Sequence, residues 1–162
     1  MVRIATVNSD RQISEAQILF REYGSAPEVA VCVVNFEHEV QTLPGDYAPP
    51  GGSLLLATYE GEGKGEAAAG CVGLRAWDAL SKTCELKRLY VRHEFRNHGV
   101  GAELLKAAIQ EARSKGYRRI VLDTLPTMAA AHSLYRAFGF HEISAYQKNP
   151  VPGALFFELT LS

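Results

Sequence analysis

Neither sign of charge dominates this 162-residue chain: 17 Lys and Arg stand against 18 Asp and Glu. That balance excludes the broad basic field that nucleic acid or an anionic membrane calls for. Cysteine is scarce. Cys32, Cys71 and Cys84 are odd in number, and none pairs in a Cys-x-x-Cys spacing. A disulfide framework and a zinc knuckle are therefore not expected, and a reducing, cytoplasmic setting is. The histidines and carboxylates do not fall at helix-face ligand spacing with a third partner, so no metal is expected. No apolar run reaches membrane-spanning length. Met1–Val7 alternates like a strand and lacks the long apolar core and small-residue cleavage site of a leader. Internal repeats, low-complexity tracts and linkers are also missing. What remains, at 47% hydrophobic and 22% charged residues, is one domain over residues 1–162 with a core large enough to need no staples.

The most informative stretch is Arg96-Asn97-His98-Gly99-Val100-Gly101. It joins an apolar strand to an amphipathic helix over about Gly99–Lys115. The first N–H groups of a helix have no internal partners, and the helix dipole places partial positive charge there. Such a loop is a seat for a phosphate. Gly99 and Gly101 let a ligand approach the backbone, and Arg96 adds a full charge. A Walker A reading fails, because no Gly-Lys-Ser/Thr follows. A dinucleotide fingerprint fails, because the strands before the loop form an antiparallel meander rather than a βαβ unit.

Periodicity supplies the rest of the order. Residues 2–7 read as a strand. Asp10 can cap a helix that Gly24 stops, and a second helical piece covers about Val31–Leu43 before Pro44-Gly45. Ser53–Tyr59, Glu66–Trp77 and Thr83–Val91 form the meander, with Gly61–Gly65 as a hairpin tip. After the loop and its helix, Arg119–Leu125 is a nearly continuous apolar strand, as in a sheet interior. A helix opened by Pro126-Thr127 carries Met128, Ala131, Leu134, Tyr135 and Phe138 on one face and ends at Gly139. Phe140–Gln147 and Ala154–Leu161 read as two last strands. The order β-α-α-β-β-β-α-β-α-β-β predicts an α+β fold, a mixed and mostly antiparallel central sheet flanked by helices.

On these residues the chain resembles the GNAT superfamily, the acetyl-CoA-dependent N-acetyltransferases. The resemblance rests on Arg-x-x-Gly-x-Gly at 96–101, the strand before it, and Leu134-Tyr135-x-x-x-Gly139-Phe140. It covers nearly the whole chain, since the element order also matches. It implies acetyl-CoA as cosubstrate, with the pyrophosphate on the backbone of Arg96, Asn97, His98, Gly99, Val100 and Gly101. The pantetheine arm would lie along Leu89-Tyr90-Val91. The thioester would sit where that strand, bulged in the family, splays from its parallel neighbour. Family members often carry an asparagine seven residues before the tyrosine; here Met128 stands there.

Transfer to an amine needs a neutral nitrogen, a held thioester and an oxyanion donor, for which the N–H near Val91 is the candidate. By resemblance, Tyr135 is the acid beside the coenzyme sulfur; by pattern alone it is a core aromatic. Glu85 is the candidate base; by pattern alone it is one half of a cross-strand ion pair. Glu37, Glu39, His38 and His132 are weaker rivals. Strict alternation puts Glu85, Lys87, Leu89 and Val91 on one face and Leu86, Arg88 and Tyr90 on the other. Cys84 reads as a small buried hydrophobe rather than a nucleophile. The expected activity is N-acetylation of a small molecule, amino acid or peptide amine by direct attack in a ternary complex, with no nucleic acid or membrane partner. The alternative is a non-catalytic acyl-CoA sensor of the same fold. The family's frequent dimers allow a homodimer, and no surface in the sequence marks one. Residues 24–52 would define the acceptor and match no readable pattern.

Overall fold

A computed structural model describes residues 1–27, 29, 35–148 and 150–162. Its elements follow the expected order. Strand β1 spans Val2–Thr6, α1 Asp10–Ser25 and α2 Phe36–Gln41. Strands β2 (Ser53–Gly61), β3 (Gly65–Asp78) and β4 (Thr83–Val91) make the meander. Helix α3 (Val100–Ser114), β5 (Arg119–Thr124), α4 (Ala129–Ala137), β6 (His141–Ile143) and β7 (Leu155–Thr160) complete the chain. The sequence expectation for the second helix extended over residues 31–34, which lie outside the described residues along with Cys32. Helix α4 starts later than the Pro126-Thr127 signal suggests. Strand β6 is much shorter than Phe140–Gln147, because from Ser144 the chain turns away from β7.

The seven strands lie in the order β1-β2-β3-β4-β5-β7-β6. Every pairing is antiparallel except β4 with β5. Local signals account for the helices. Ser9 Oγ accepts from the Gln12 N–H and starts α1. Helix α3 begins after Gly99, whose φ of +82° suits a residue without Cβ.

Two apolar layers sandwich the sheet. On one face Leu104, Leu105, Ala108 and Ala112 of α3 bury against Leu74, Leu86, Ile120 and Leu122, and Tyr135 of α4 joins the same cluster. On the other face Ala16, Leu19 and Phe20 of α1 and Val40 of α2 bury against Leu54, Leu56 and Cys71. At roughly 25 cal/mol per Å² of apolar surface, each such leucine adds about 2 kcal/mol, so both helix pairs are held to the sheet by burial.

The feature that positions the site lies in β4. Gly73 pairs with Lys87 and Cys71 with Tyr90, so Arg88 and Leu89 stand opposite Val72 alone. This is a β-bulge, and Arg88 takes a left-handed φ of +62°. It overturns the alternation expected from the sequence. Leu89 and Val91 pack with the α3 cluster, together with Cys84 and Leu86. Tyr90 packs with the α1 cluster, and the Arg88 guanidinium lies 5.8 Å from the Tyr23 ring and 5.0 Å from the Phe36 ring. The extra residue shifts the period by one, so Leu89 and Val91 leave the face of Glu85 and Lys87.

Candidate active site

Past β4 the chain makes one 3-10 turn, His93–Phe95, and enters the loop at Arg96. Asn97 and Gly99 both take positive φ, 65° and 82°. No side chain caps the α3 N-terminus, which leaves its first N–H groups to an incoming acceptor. Arg96 Nε donates to the Val91 carbonyl at 3.0 Å, which ties the loop back to the strand it leaves. A Cβ built on Gly101 would come 3.3 Å from Leu134 Cδ2 and 3.7 Å from Val91 Cγ2. Gly101 therefore lets α3, α4 and β4 close to contact distance around the loop.

A groove of about 550 Å³ runs between this loop and α4. Leu89, Tyr90, Val91, Arg96, Asn97, Gly99, Val100 and Gly101 all line it. His98, grouped with them from the sequence, does not; its ring lies 5.2 Å from the Tyr59 ring. The opposite wall is Thr127–Ala131 and Leu134. Three alanines there keep the wall low, a signal that the α4 sequence carried without its meaning being plain.

Beyond the groove, β4 and β5 part. Their parallel ladder runs from Thr83 with Arg119 to Glu85 with Val121 and stops. The bulge at Arg88 turns β4 away just past that point. The resulting gap is lined by Lys87, Arg88 and Leu89 from one strand and Asp123, Thr124 and Leu125 from the other. Its free space is about 40 Å³, room for an amino group and a few attached atoms. Tyr23, Leu89 and Met128 line both spaces, so groove and gap meet there.

Tyr135 reaches the gap from α4. Its ring is 4% exposed and packs 5.6 Å from Phe140 and 6.1 Å from Phe157. Burial, with smaller contributions from Tyr23 and Asp123, pushes its hydroxyl well above the usual phenol range. The proton is thus retained at neutral pH. Core packing and access to the gap hold together at this residue.

Glu85 sits differently. It is 0% exposed. Its Oε1 accepts from Arg75 Nε at 2.8 Å, with Arg75 Nη2 at 2.7 Å. Its Oε2 accepts from Tyr146 Oη at 2.6 Å and from Gln147 Nε2 at 3.1 Å. Both oxygens are engaged, and Glu85 is not among the residues lining the gap. It joins β3 to the β6–β7 loop, whose Val151 does reach the gap. Burial and the Glu85 charge drive the Tyr146 hydroxyl far above its ordinary range, so that phenol stays a donor.

The rivals also find partners. Glu37 takes Arg21 at the surface, and His38 is exposed. His132 Nε2 lies 3.2 Å from Thr124 Oγ1. Glu39 receives a two-pronged bond from Arg88, 2.9 Å from Nε and 3.0 Å from Nη2, and a third from Tyr47 Oη at 3.2 Å. Burial pushes the Glu39 carboxyl up, but the Arg88 guanidinium outweighs it and holds the carboxyl below its usual range. That pair offsets the roughly 1–3 kcal/mol of strain in the Arg88 backbone. Burial raises the Cys84 thiol to about 12, so it is not a thiolate at neutral pH.

Two gap residues escaped the sequence reading. Arg88 carries no bulge signal, because only its tertiary partners place it at positive φ. Asp123 did carry a signal of its own, as a lone charge within Ile120–Leu125. It accepts from Lys87 Nζ at 3.1 Å across the gap. Among the described residues no group of three or more His, Cys, Asp and Glu could hold a metal ion. No helix among them is long and apolar enough to cross a membrane.

Residues 17–140 match the Acetyltransferase (GNAT) family. An uncharacterized N-acetyltransferase of Schizosaccharomyces pombe is 33% identical over 161 residues, covering 99% of this chain and 96% of that one. The N-acetylaspartate synthetase of Rattus norvegicus is 31% identical over 105 residues, covering 65% of this chain and 33% of that protein. Among solved structures, a GNAT-family acetyltransferase from Staphylococcus aureus superposes with a TM-score of 0.80 at 20% identity, covering 100% of both chains. The ribosomal-protein-S18-alanine N-acetyltransferase of Escherichia coli gives 0.71 at 18% identity, over 100% of this chain and 95% of that one.

Proposed function

We propose a specific reaction for this chain, which belongs to the GNAT acetyltransferase family and is an acyltransferase: transfer of an acetyl group from acetyl-CoA to a primary amine by direct attack in a ternary complex. The observation that carries it is the meeting of groove and gap at Leu89 and Met128, beside Tyr135. A ligand whose pyrophosphate rests on the uncapped α3 N-terminus can run along Leu89–Val91 and end with its thioester at that junction. Arg96, the N–H groups after Gly99 and the close approach at Gly101 all fit an elongated anion.

The acceptor's ammonium gives up one proton to solvent, and the neutral nitrogen attacks the thioester carbon. A carbon–nitrogen bond forms as the carbon–sulfur bond breaks. The departing thiolate takes the Tyr135 proton, and the second nitrogen proton restores Tyr135. The backbone N–H near Val91 is the proposed oxyanion donor. A buried hydroxyl with a raised pKa suits the acid role, since it keeps its proton until sulfur demands it. Direct attack is favoured over a covalent acyl-cysteine because the Cys84 thiol is buried and protonated. Glu85 as base has the weakest support in this reading, because both its oxygens are already engaged.

The experiment is a panel of primary amines with acetyl-CoA, read by release of free thiol. Turnover with intersecting initial-velocity lines is the expected result. Parallel lines would replace direct attack with an acyl-enzyme. Tight coenzyme binding without transfer to any amine would leave the sensor in its place.

A further inference from the structure

The gap is lined by an ion pair that the reaction above does not use. Lys87 stands on β4 just before the bulge, and Asp123 stands on β5 just past the end of the ladder. Nζ and Oδ1 are 3.1 Å apart, and the side chains are 11% and 24% exposed. The other two pairs on this face are closed. Arg88 is engaged by both oxygens of Glu39, and Glu85 receives Arg75, Tyr146 and Gln147. Lys87 and Asp123 share one hydrogen bond. That leaves the ammonium two further donor directions and the carboxylate a second oxygen. A positive and a negative group about 3 Å apart, each half used, is the complement of a ligand bearing the opposite two charges at similar separation.

We propose that Lys87 and Asp123 form the acceptor subsite, and that the acceptor is the zwitterion of a free α-amino acid. Lys87 takes its carboxylate and Asp123 its ammonium, giving four alternating charges at the mouth of the gap. The nitrogen then faces Leu89 and Tyr135, which line the same space. The free space of about 40 Å³ admits the amino head and leaves the amino-acid side chain outside. Desolvation by Leu86, Leu89 and Leu125 strengthens both contacts relative to water. A peptide amino terminus or a plain amine satisfies Asp123 alone and leaves the Lys87 donors unpaired.

This inference rests on the acyl-transfer reading above. The test compares free α-amino acids with the matching amino-acid amides, decarboxylated amines and short peptides, by thiol release from acetyl-CoA. The amino acid is expected to show kcat/KM about ten- to a hundredfold above its amide, the usual worth of a charge-assisted contact. In Lys87→Gln that ratio falls toward one. In Asp123→Asn, KM for the amino acid rises. Equal kcat/KM for amino acids, amides and amines overturns the zwitterion subsite and leaves N-acetyl transfer standing. Thiol release with no member of the panel removes both. Should either variant fail to fold, the substrate comparison on the unaltered protein decides alone.

Discussion

The two halves of the cleft are built from different materials. The half proposed for the donor is backbone and small residues: Gly99 at positive φ, Gly101 with no room for a Cβ to spare beside Leu134, the uncapped N–H groups of α3, and the alanines of α4. The half proposed for the acceptor is charge: Lys87 with Asp123 across the gap and Arg88 held by Glu39, with the Arg75–Glu85 pair behind the lining, the carboxylates drawn from β5, α2 and β4. A backbone cradle is set by a few conformational requirements and tolerates little variation. A wall of paired side chains can be rewritten pair by pair, which suits one fold to many acceptors.

The sharpest way to divide the halves is at Tyr135, beside their junction at Leu89 and Met128. Tyr135→Phe keeps the ring contacts with Phe140 and Phe157 and removes only the hydroxyl. A drop in kcat of roughly a hundredfold or more is expected, with coenzyme affinity by calorimetry unchanged. Undiminished kcat would return Tyr135 to packing alone. Next comes Glu85→Gln, which leaves the Arg75 guanidinium facing a neutral amide. Breaking a buried pair is expected to cost about 3 kcal/mol, visible as a lower midpoint in urea. If Glu85 shapes the wall, the accompanying rate loss persists at every pH. A loss that vanishes at high pH would make it the base.

Gly101→Asp probes the donor half. In the proposed seat the new carboxylate would face the coenzyme phosphates, and affinity should fall roughly thirtyfold, about 2 kcal/mol. Gly101→Ala adds the same contact with Leu134 without the charge, so equal losses in both would assign the effect to packing. Arg88→Met tests the acceptor half most gently, through pH. The Glu39 carboxyl is held low when folded, so its stabilising effect is complete above the ordinary carboxylate pKa of about 4.3 and is lost as pH falls through the folded value. In the variant that acid-limb loss should shrink. Superimposable melting-temperature curves from pH 6 to pH 2 would show that the pair carries no such linkage.

The same contrast explains what the sequence disclosed. Apolar content and flanking turns place β4 at Thr83–Val91, and the apolar stripe and glycine start place α3. These are local properties. Eight of the nine residues to which the resemblance points line the groove, and for five of them, Arg96, Asn97, Gly99, Val100 and Gly101, a glycine loop announces its own geometry. The faces of Leu89 and Val91 could not be read, because an arginine at positive φ looks like any other arginine until Glu39, 49 residues away, is brought to it. Nor could the closure of Glu85, which depends on Tyr146 and Gln147 more than 60 residues downstream. Only Asp123 left a trace that could have been followed.

The bulge at Arg88 has one more consequence. It acts as a phase break in a single strand: residues before it present alternate side chains in one register, and residues after it in the opposite register. Glu85 and Lys87 thereby point to the opposite face of the sheet from Leu89 and Val91. One strand thus serves two surfaces in sequence, its odd-numbered residues facing the α1 layer up to Lys87 and the α3 layer beside the groove from Leu89.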